Sequence, residues 1–237
     1  EGFQALYQPA LFRSELRRRT IFTAVPWFLM DIAMYGVGIF TPTLLAAMAM
    51  AGPDATFIAD DIASTEATAL LDLFLVFGFI AAILLVERMG RIPLQIGGFV
   101  MMAVGLIVLG YTSGLPGSGD QHLALVFFCF ALFNFFQHAG PNATTYALPA
   151  EVFPSDVRAA GHGFAAGMAK LGAAIGVFFF PILMDAIGQS ALLYLLAGVC
   201  IVAVAVTVAF RIEPKGKSLD ELSGRTVADL RASPVPP

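Results

Sequence analysis

Six stretches of this chain are each long and apolar enough to cross a lipid bilayer, and that constrains the fold more than anything else in it. A helix needs ~20 apolar residues to span the hydrocarbon core. The six stretches run from Ile21 to Met50, Glu66 to Val86, Ile92 to Tyr111, His122 to Tyr146, Gly161 to Ala186 and Ser190 to Phe210. They are continuous rather than alternating, which argues against a transmembrane barrel. The expected fold class is therefore an all-α membrane protein with six transmembrane helices. Composition agrees: 58% of residues are apolar and only 13% charged, against ~25% charged in soluble domains. A mean hydropathy of +0.82 excludes an ordinary soluble enzyme and a disordered chain. The net charge of −4 leaves no basic footprint for nucleic acid. Cys129 and Cys200 lie in apolar runs and form neither a disulfide framework nor a zinc spacing.

The basic residues set the orientation. Arg13, Arg17, Arg18 and Arg19 precede the first span, and Arg88 and Arg91 separate the second from the third. Arg158 lies between the fourth and fifth, while Arg211, Lys215, Lys217, Arg225 and Arg231 follow the sixth. The remaining loops carry Asp54, Asp60, Asp61 and Asp120 and no Lys or Arg. The positive-inside rule then places both termini in the cytoplasm. The polar N-terminus lacks the apolar core of a cleavable signal peptide. The chain begins with Glu1 rather than methionine, which fits a piece of something longer.

Ionisable groups deep in a membrane are costly and usually face a cavity. Asp31 lies well inside the first span and Lys170 well inside the fifth. They are either a mutually neutralising pair that fixes helix packing or a site for a polar substrate or proton. Asp72 and Asp185 sit nearer the outer ends and read as vestibule or interfacial carboxylates. Trp27, Asp31 and Tyr35 are spaced four apart, so they share one helix face over ~12 Å. That face offers an indole N–H, a carboxyl and a phenol, all able to hydrogen-bond an oxyanion if the carboxyl is protonated. The fourth span is polar for its depth, with Asn134, Gln137, His138, Asn142, Thr144 and Thr145. A kink is expected at Gly140-Pro141, and a proline-bounded break at Pro149-Ala150-Glu151-Val152-Phe153-Pro154. His138 reads as a hydrogen-bonded packing residue, with a proton relay as the alternative. His122 and His162, at span ends, carry little information.

Several motifs resemble the major facilitator superfamily. Glu87-Arg88-Met89-Gly90-Arg91 is similar to its D/E-R-x-G-R loop. Pro149 to Pro154 with Arg158 resembles the P-x-E-x-F-P-x-x-x-R stretch of the sugar-porter-like branch. Glu213-Pro214-Lys215-Gly216-Lys217-Ser218-Leu219 resembles that branch's P-E-T-K-G-x-S-L tail, with Ile212 in place of the first proline. Within the superfamily the likeness is nearest to phosphate:proton symporters. Trp27, Asp31 and Tyr35 reproduce their W-x-x-x-D-x-x-x-Y helix. Gly140 to Thr145 matches their G-P-N-x-T-T, and His162 to Ala173 their H-G-x-x-A-x-x-x-K-x-G-A.

The resemblance implies the C-terminal six-helix half of a twelve-helix transporter. Residues 1–20 would be the cytoplasmic linker entering it, 21–211 the six-helix bundle, and 212–237 a cytoplasmic tail. It implies a phosphate site lined by Trp27, Asp31, Tyr35 and Asn142, with Lys170 as the nearby base and Asp31 carrying the coupled proton. Glu87, Arg88, Arg91, Glu151 and Arg158 lie at cytoplasmic loop ends, where they read either as a salt-bridged cytoplasmic gate or as plain topological and interfacial charge. After Tyr35-Gly36 the symporters continue with polar N-x-N residues, whereas this chain runs on as Val37-Gly38-Ile39-Phe40, so the outer part of the pocket is expected to be more apolar.

The function expected is proton-coupled symport of inorganic phosphate across the cell membrane, with the missing N-terminal half as obligatory partner. The alternatives are a proton-coupled sugar or organic-anion porter and a nutrient sensor that binds without transport. No cofactor, metal or catalytic residue is expected. The sequence has no H-E-x-x-H and no nucleophile elbow. Gly117-Ser118-Gly119-Asp120 mimics a G-x-G-D protease motif but falls in an external loop.

Overall fold

The computed structural model describes residues 9–49, 57–115 and 123–216. The aspartates at 54 and 120, the Gly117–Asp120 motif, His122 and the tail from residue 217 lie outside them. Among the described residues the regular structure is helical, and six helical segments are long and apolar enough to cross a membrane. We label the helices α1 (Ser14–Ala49), α2 (Phe57–Met89), α3 (Arg91–Ser113), α4 (Leu123–Ala139), α5 (Pro141–Val152), α6 (Arg158–Ile187) and α7 (Gln189–Phe210). A short 3₁₀ turn, Pro9–Phe12, precedes α1. Helix α1 thus starts seven residues before the expected linker boundary, and Pro26 lies within it.

The fourth span is two helices. Helix α4 ends at Ala139, and α5 starts at Pro141, where a proline costs no intrahelical donor. The kink has a packing reason: a Cβ on Gly98 would strike Pro141, and one on Gly140 would strike the Leu94 carbonyl. The expected break after this span begins later than its first proline. Pro149 is inside α5 and buried, and the helix runs to Val152 before Phe153 turns extended.

The helices pack chiefly in pairs, α1 with α6, α3 with α7 and α2 with α4, around a core rich in Phe99, Met102, Leu106 and Phe130. Small residues make the tightest contact. Gly172 and Gly176 of α6 face the backbone carbonyls of Phe28 and Ile32 of α1, and any Cβ there would collide with them. Close backbone approach through small residues is how helices associate where lipid is as apolar as the side chains. Polar groups at depth are joined to one another. The Thr144 hydroxyl donates to Gln95 Oε1 at 2.9 Å, and Gln95 Nε2 donates to the Thr207 hydroxyl at 2.8 Å. This buried chain ties α5 to α3 and α7. By contrast, α2 presents Leu73, Phe77, Ile80, Ile83 and Leu84 outward, which in water would be an exposed apolar patch and suits a lipid-facing surface.

The ends carrying the arginine-rich loops are fastened by polar contacts. Arg91 forms a bidentate pair with Glu151, with bonds of 2.8–3.1 Å, and meets Glu87 at 2.8 Å. Arg88 and Arg158 do not join this cluster through their guanidinium groups. The Arg88 carbonyl accepts from Lys215 Nζ at 2.6 Å, and Arg158 turns to the Phe153 carbonyl and the Ser155 hydroxyl. A residue that the gate motifs did not single out completes the arrangement. The Glu213 carboxylate accepts the backbone N–H groups of Arg91 at 3.2 Å and Ile92 at 3.1 Å. It caps the N-terminus of α3, whose own preceding residue, Gly90, supplies no side chain. Glu213→Ala is expected to cost about 1–2 kcal/mol of stability through the lost cap. Faster hydrogen exchange at the Arg91 and Ile92 amides, with little change at Leu106, is the measurement that checks it.

Candidate functional site

The site is assembled from three four-residue repeats on three helices. On α1, Trp27, Asp31 and Tyr35 lie on one face, as their spacing dictates. On α6, His162, Ala166 and Lys170 follow the same spacing. On α5, Asn142 and Tyr146 are one turn apart. All of them border a single cavity of about 430 Å³. The glycine seam between α1 and α6 brings the first two rows together.

Asp31 is the best buried of the charged side chains at the site, only 2% exposed, and its Oδ2 lies 3.2 Å from Lys170 Nζ. The ammonium also donates to the Tyr35 hydroxyl at 3.3 Å and sits 5.0 Å above the centre of that ring. The Lys170 side chain is itself 64% exposed. The cation therefore stands at the cavity's edge, with the carboxylate behind it. A buried carboxylate requires such a partner, and the exposed ammonium faces the cavity. The pair joins α1 to α6, as the packing reading expects, and it borders the cavity, which leaves the site reading open.

The wall on the other side is aromatic. Trp27, Tyr146 and His162 meet edge to face in a closed trio, with centroids 5.8 Å, 5.7 Å and 5.3 Å apart. His162, which reads as an uninformative span end in the sequence, is thus part of the cavity wall. Its signal was present: it stands eight residues before Lys170, the same interval that separates Trp27 from Tyr35. His138, expected to be a packing residue, is 3% exposed, hydrogen-bonded to the Asn134 carbonyl at 2.8 Å and stacked edge-on against Phe79. Among the described residues no group of three or more His, Cys, Asp or Glu converges to hold a metal ion.

The comparisons with known proteins fit this architecture. The family described as "Sugar (and other) transporter" matches residues 10–224. The chain belongs to this transporter family of the major facilitator superfamily. It is 35% identical over 211 residues to a probable inorganic phosphate transporter 1-6 of Arabidopsis thaliana, covering 86% of this chain and 40% of that one. It is 30% identical over 228 residues to a low affinity inorganic phosphate transporter 4 of Lotus japonicus, covering 93% and 42%. Among solved structures it resembles the proton:xylose symporter XylE bound to 6-bromo-6-deoxy-D-glucose. The TM-score is 0.68 at 20% identity, over 87% of this chain and 42% of that one. The transporter chain thus spans less than half the length of these relatives. Its fold is that of six helices of the superfamily architecture, its family is one of transporters rather than enzymes, and it is a multi-pass membrane protein.

Proposed function

We propose that this chain is the C-terminal half of a proton-coupled oxyanion symporter, with inorganic phosphate as its substrate. The observation that carries the reading is the buried Asp31 carboxylate held 3.2 Å from a lysine that opens into a cavity. Charge accounting explains why proton and anion would travel together. Asp31 and Lys170 sum to zero. An anion alone would leave a net negative charge in a poorly solvated place, and a proton alone a net positive one. Either excess is costly away from water. Binding both restores neutrality. Protonation of Asp31 also releases Lys170 Nζ from its carboxylate, so the ammonium can turn to the oxyanion. The neutral carboxyl can then donate a hydrogen bond to the same ligand. Trp27 and Tyr35 add N–H and O–H donors, and Asn142 an amide.

The site would be closed by the complementary N-terminal half, in the cell membrane, with both termini cytoplasmic. The two halves would rock about this midplane site. The Glu87–Arg91–Glu151 cluster would hold the cytoplasmic side shut in the outward-facing state, with Arg88 and Arg158 flanking it. Support for phosphate comes from the two phosphate transporter relatives and from an acid–lysine pair better suited to an anion than to a neutral sugar. A proton-coupled sugar or organic-anion porter is the competing assignment, for which the breadth of the family, sugar and other transporters, leaves room.

The test is uptake of radiolabelled phosphate into proteoliposomes containing the complete transporter. Uptake is expected to rise with an inward proton gradient and to collapse when a protonophore removes it. Gradient-driven uptake of xylose without uptake of phosphate would reject the anion assignment.

A further inference from the structure

A second cavity, of about 220 Å³, adjoins the first and shares Met34 and Tyr35 with it. The sequence of α1 beyond Tyr35 is apolar, and an apolar outer pocket was expected there. The cavity keeps apolar lining from Met34 and Leu75, and the neighbouring helices add polar groups to it. Asp72 of α2 and Asn134, Gln137 and His138 of α4 line this space. The three α4 residues fall on one helix face by their spacing.

Their hydrogen-bonding states are unequal. His138 is engaged through Nδ1 with the Asn134 carbonyl. A carbonyl can only accept, so Nδ1–H is the donor. Gln137 is 1% exposed, and its Nε2 has no hydrogen-bond partner. A buried N–H without an acceptor is an unusual feature that needs an explanation. Asp72 lines the same space, and its carboxylate accepts and, when ionised, cannot donate. A hydroxyl on an occupant, like the water it would displace, can accept from an amide N–H and donate to a carboxylate. An anionic group would meet repulsion from Asp72, and a methylene would leave the Gln137 amide unanswered.

We propose that this second cavity is a hydroxyl-binding subsite of the substrate pathway. Its ligands are hydroxylated organic anions whose charged end lies at Lys170 and whose hydroxyl-bearing end passes Tyr35 to reach Gln137. The inference rests on the anion-site reading of Lys170 and widens its substrate class beyond inorganic phosphate.

The experiment is a ligand-binding titration of the complete transporter, read by thermal stabilisation. It uses inorganic phosphate and two matched pairs: glycerol 3-phosphate with propyl phosphate, and glycerate with propionate. The hydroxylated member of a pair is expected to bind at least about tenfold more tightly, since a site built to hydrogen-bond a hydroxyl rejects the analogue lacking it. Gln137→Leu, and separately Asp72→Asn at an exposed position that does not threaten folding, should collapse that ratio towards one. Equal binding within both pairs would overturn the subsite, as would an unchanged ratio in both variants. Hydroxyl preference without any stabilisation by inorganic phosphate would retain the subsite and remove phosphate as the substrate. Phosphate stabilisation without hydroxyl preference would do the reverse.

Discussion

Asp31→Asn is expected to abolish accumulation of substrate driven by a proton gradient while leaving substrate exchange across the membrane measurable. The amide has nearly the shape of the carboxyl and keeps an oxygen for Lys170 Nζ, now 3.2 Å from Oδ2. It cannot take up or release a proton in the working range. The variant therefore resembles a permanently neutral Asp31, with Lys170 already released to meet an anion. Coupling free energies between two ligands run to ~3 kcal/mol, or about 150-fold, and gradient-driven uptake should fall by about that factor. Counterflow with equal pH on both sides should fall far less. Lys170→Gln separates the two roles. It leaves Asp31 buried without its cation, so binding itself should fail and counterflow should be lost together with driven uptake. Equal damage to both assays in Asp31→Asn would remove the proton from this residue.

Gly172→Val is expected to be the most disruptive single change for the architecture of the site. A Cβ at Gly172 would meet the Phe28 carbonyl within hard contact, and valine adds two methyl groups to it. Overpacking typically costs ~1–3 kcal/mol, more where backbone must move. Here the obstacle is backbone, so a fall in the thermal midpoint of about 5–10 °C is expected. Lys170 lies two residues away on α6, so separating α6 from α1 draws its ammonium off Asp31, and anion binding should weaken in the same variant. Gly167→Ala supplies the contrast within the same helix. Nothing lies within 4 Å of a Cβ placed there, and alanine stabilises a helix interior by roughly 0.5–1 kcal/mol over glycine. A midpoint equal to or above that of the parent should result.

Much of this arrangement is legible in the sequence because the bilayer reduces the choices. Backbone polar groups in lipid must bond within their own segment, so an apolar run of the right length is a helix almost by necessity. Once helices are given, the four-residue spacing of Trp27, Asp31 and Tyr35 places them on one face without tertiary information. The depth of Asp31 and Lys170 marks them as partners, since neither is tolerated alone. What spacing on a single helix cannot show is which other helix completes a surface. His162 enters the site because α6 lies against α1 along the glycine seam, which brings the start of α6 level with Trp27. The polar lining beyond Tyr35 escapes notice for the same reason, being supplied by α2 and α4 where α1 itself is apolar. Glu213 is visible in a tail motif, but its function as the cap of α3 depends on a contact across 122 residues of chain. Pro149 reads as a helix breaker, yet α5 continues to Val152.

The edge-to-face trio of Trp27, Tyr146 and His162 also gives the molecule an optical property. Trp27 is the sole tryptophan of this chain, it is 7% exposed, and its indole forms part of the cavity wall. Light absorbed by the chain's tyrosines passes to one emitter, and that emitter stands at the candidate site. Under the proposed function, an oxyanion bound in the cavity alters the polarity around the excited indole. The emission colour of this chain's one tryptophan would thus register occupancy of the proposed site.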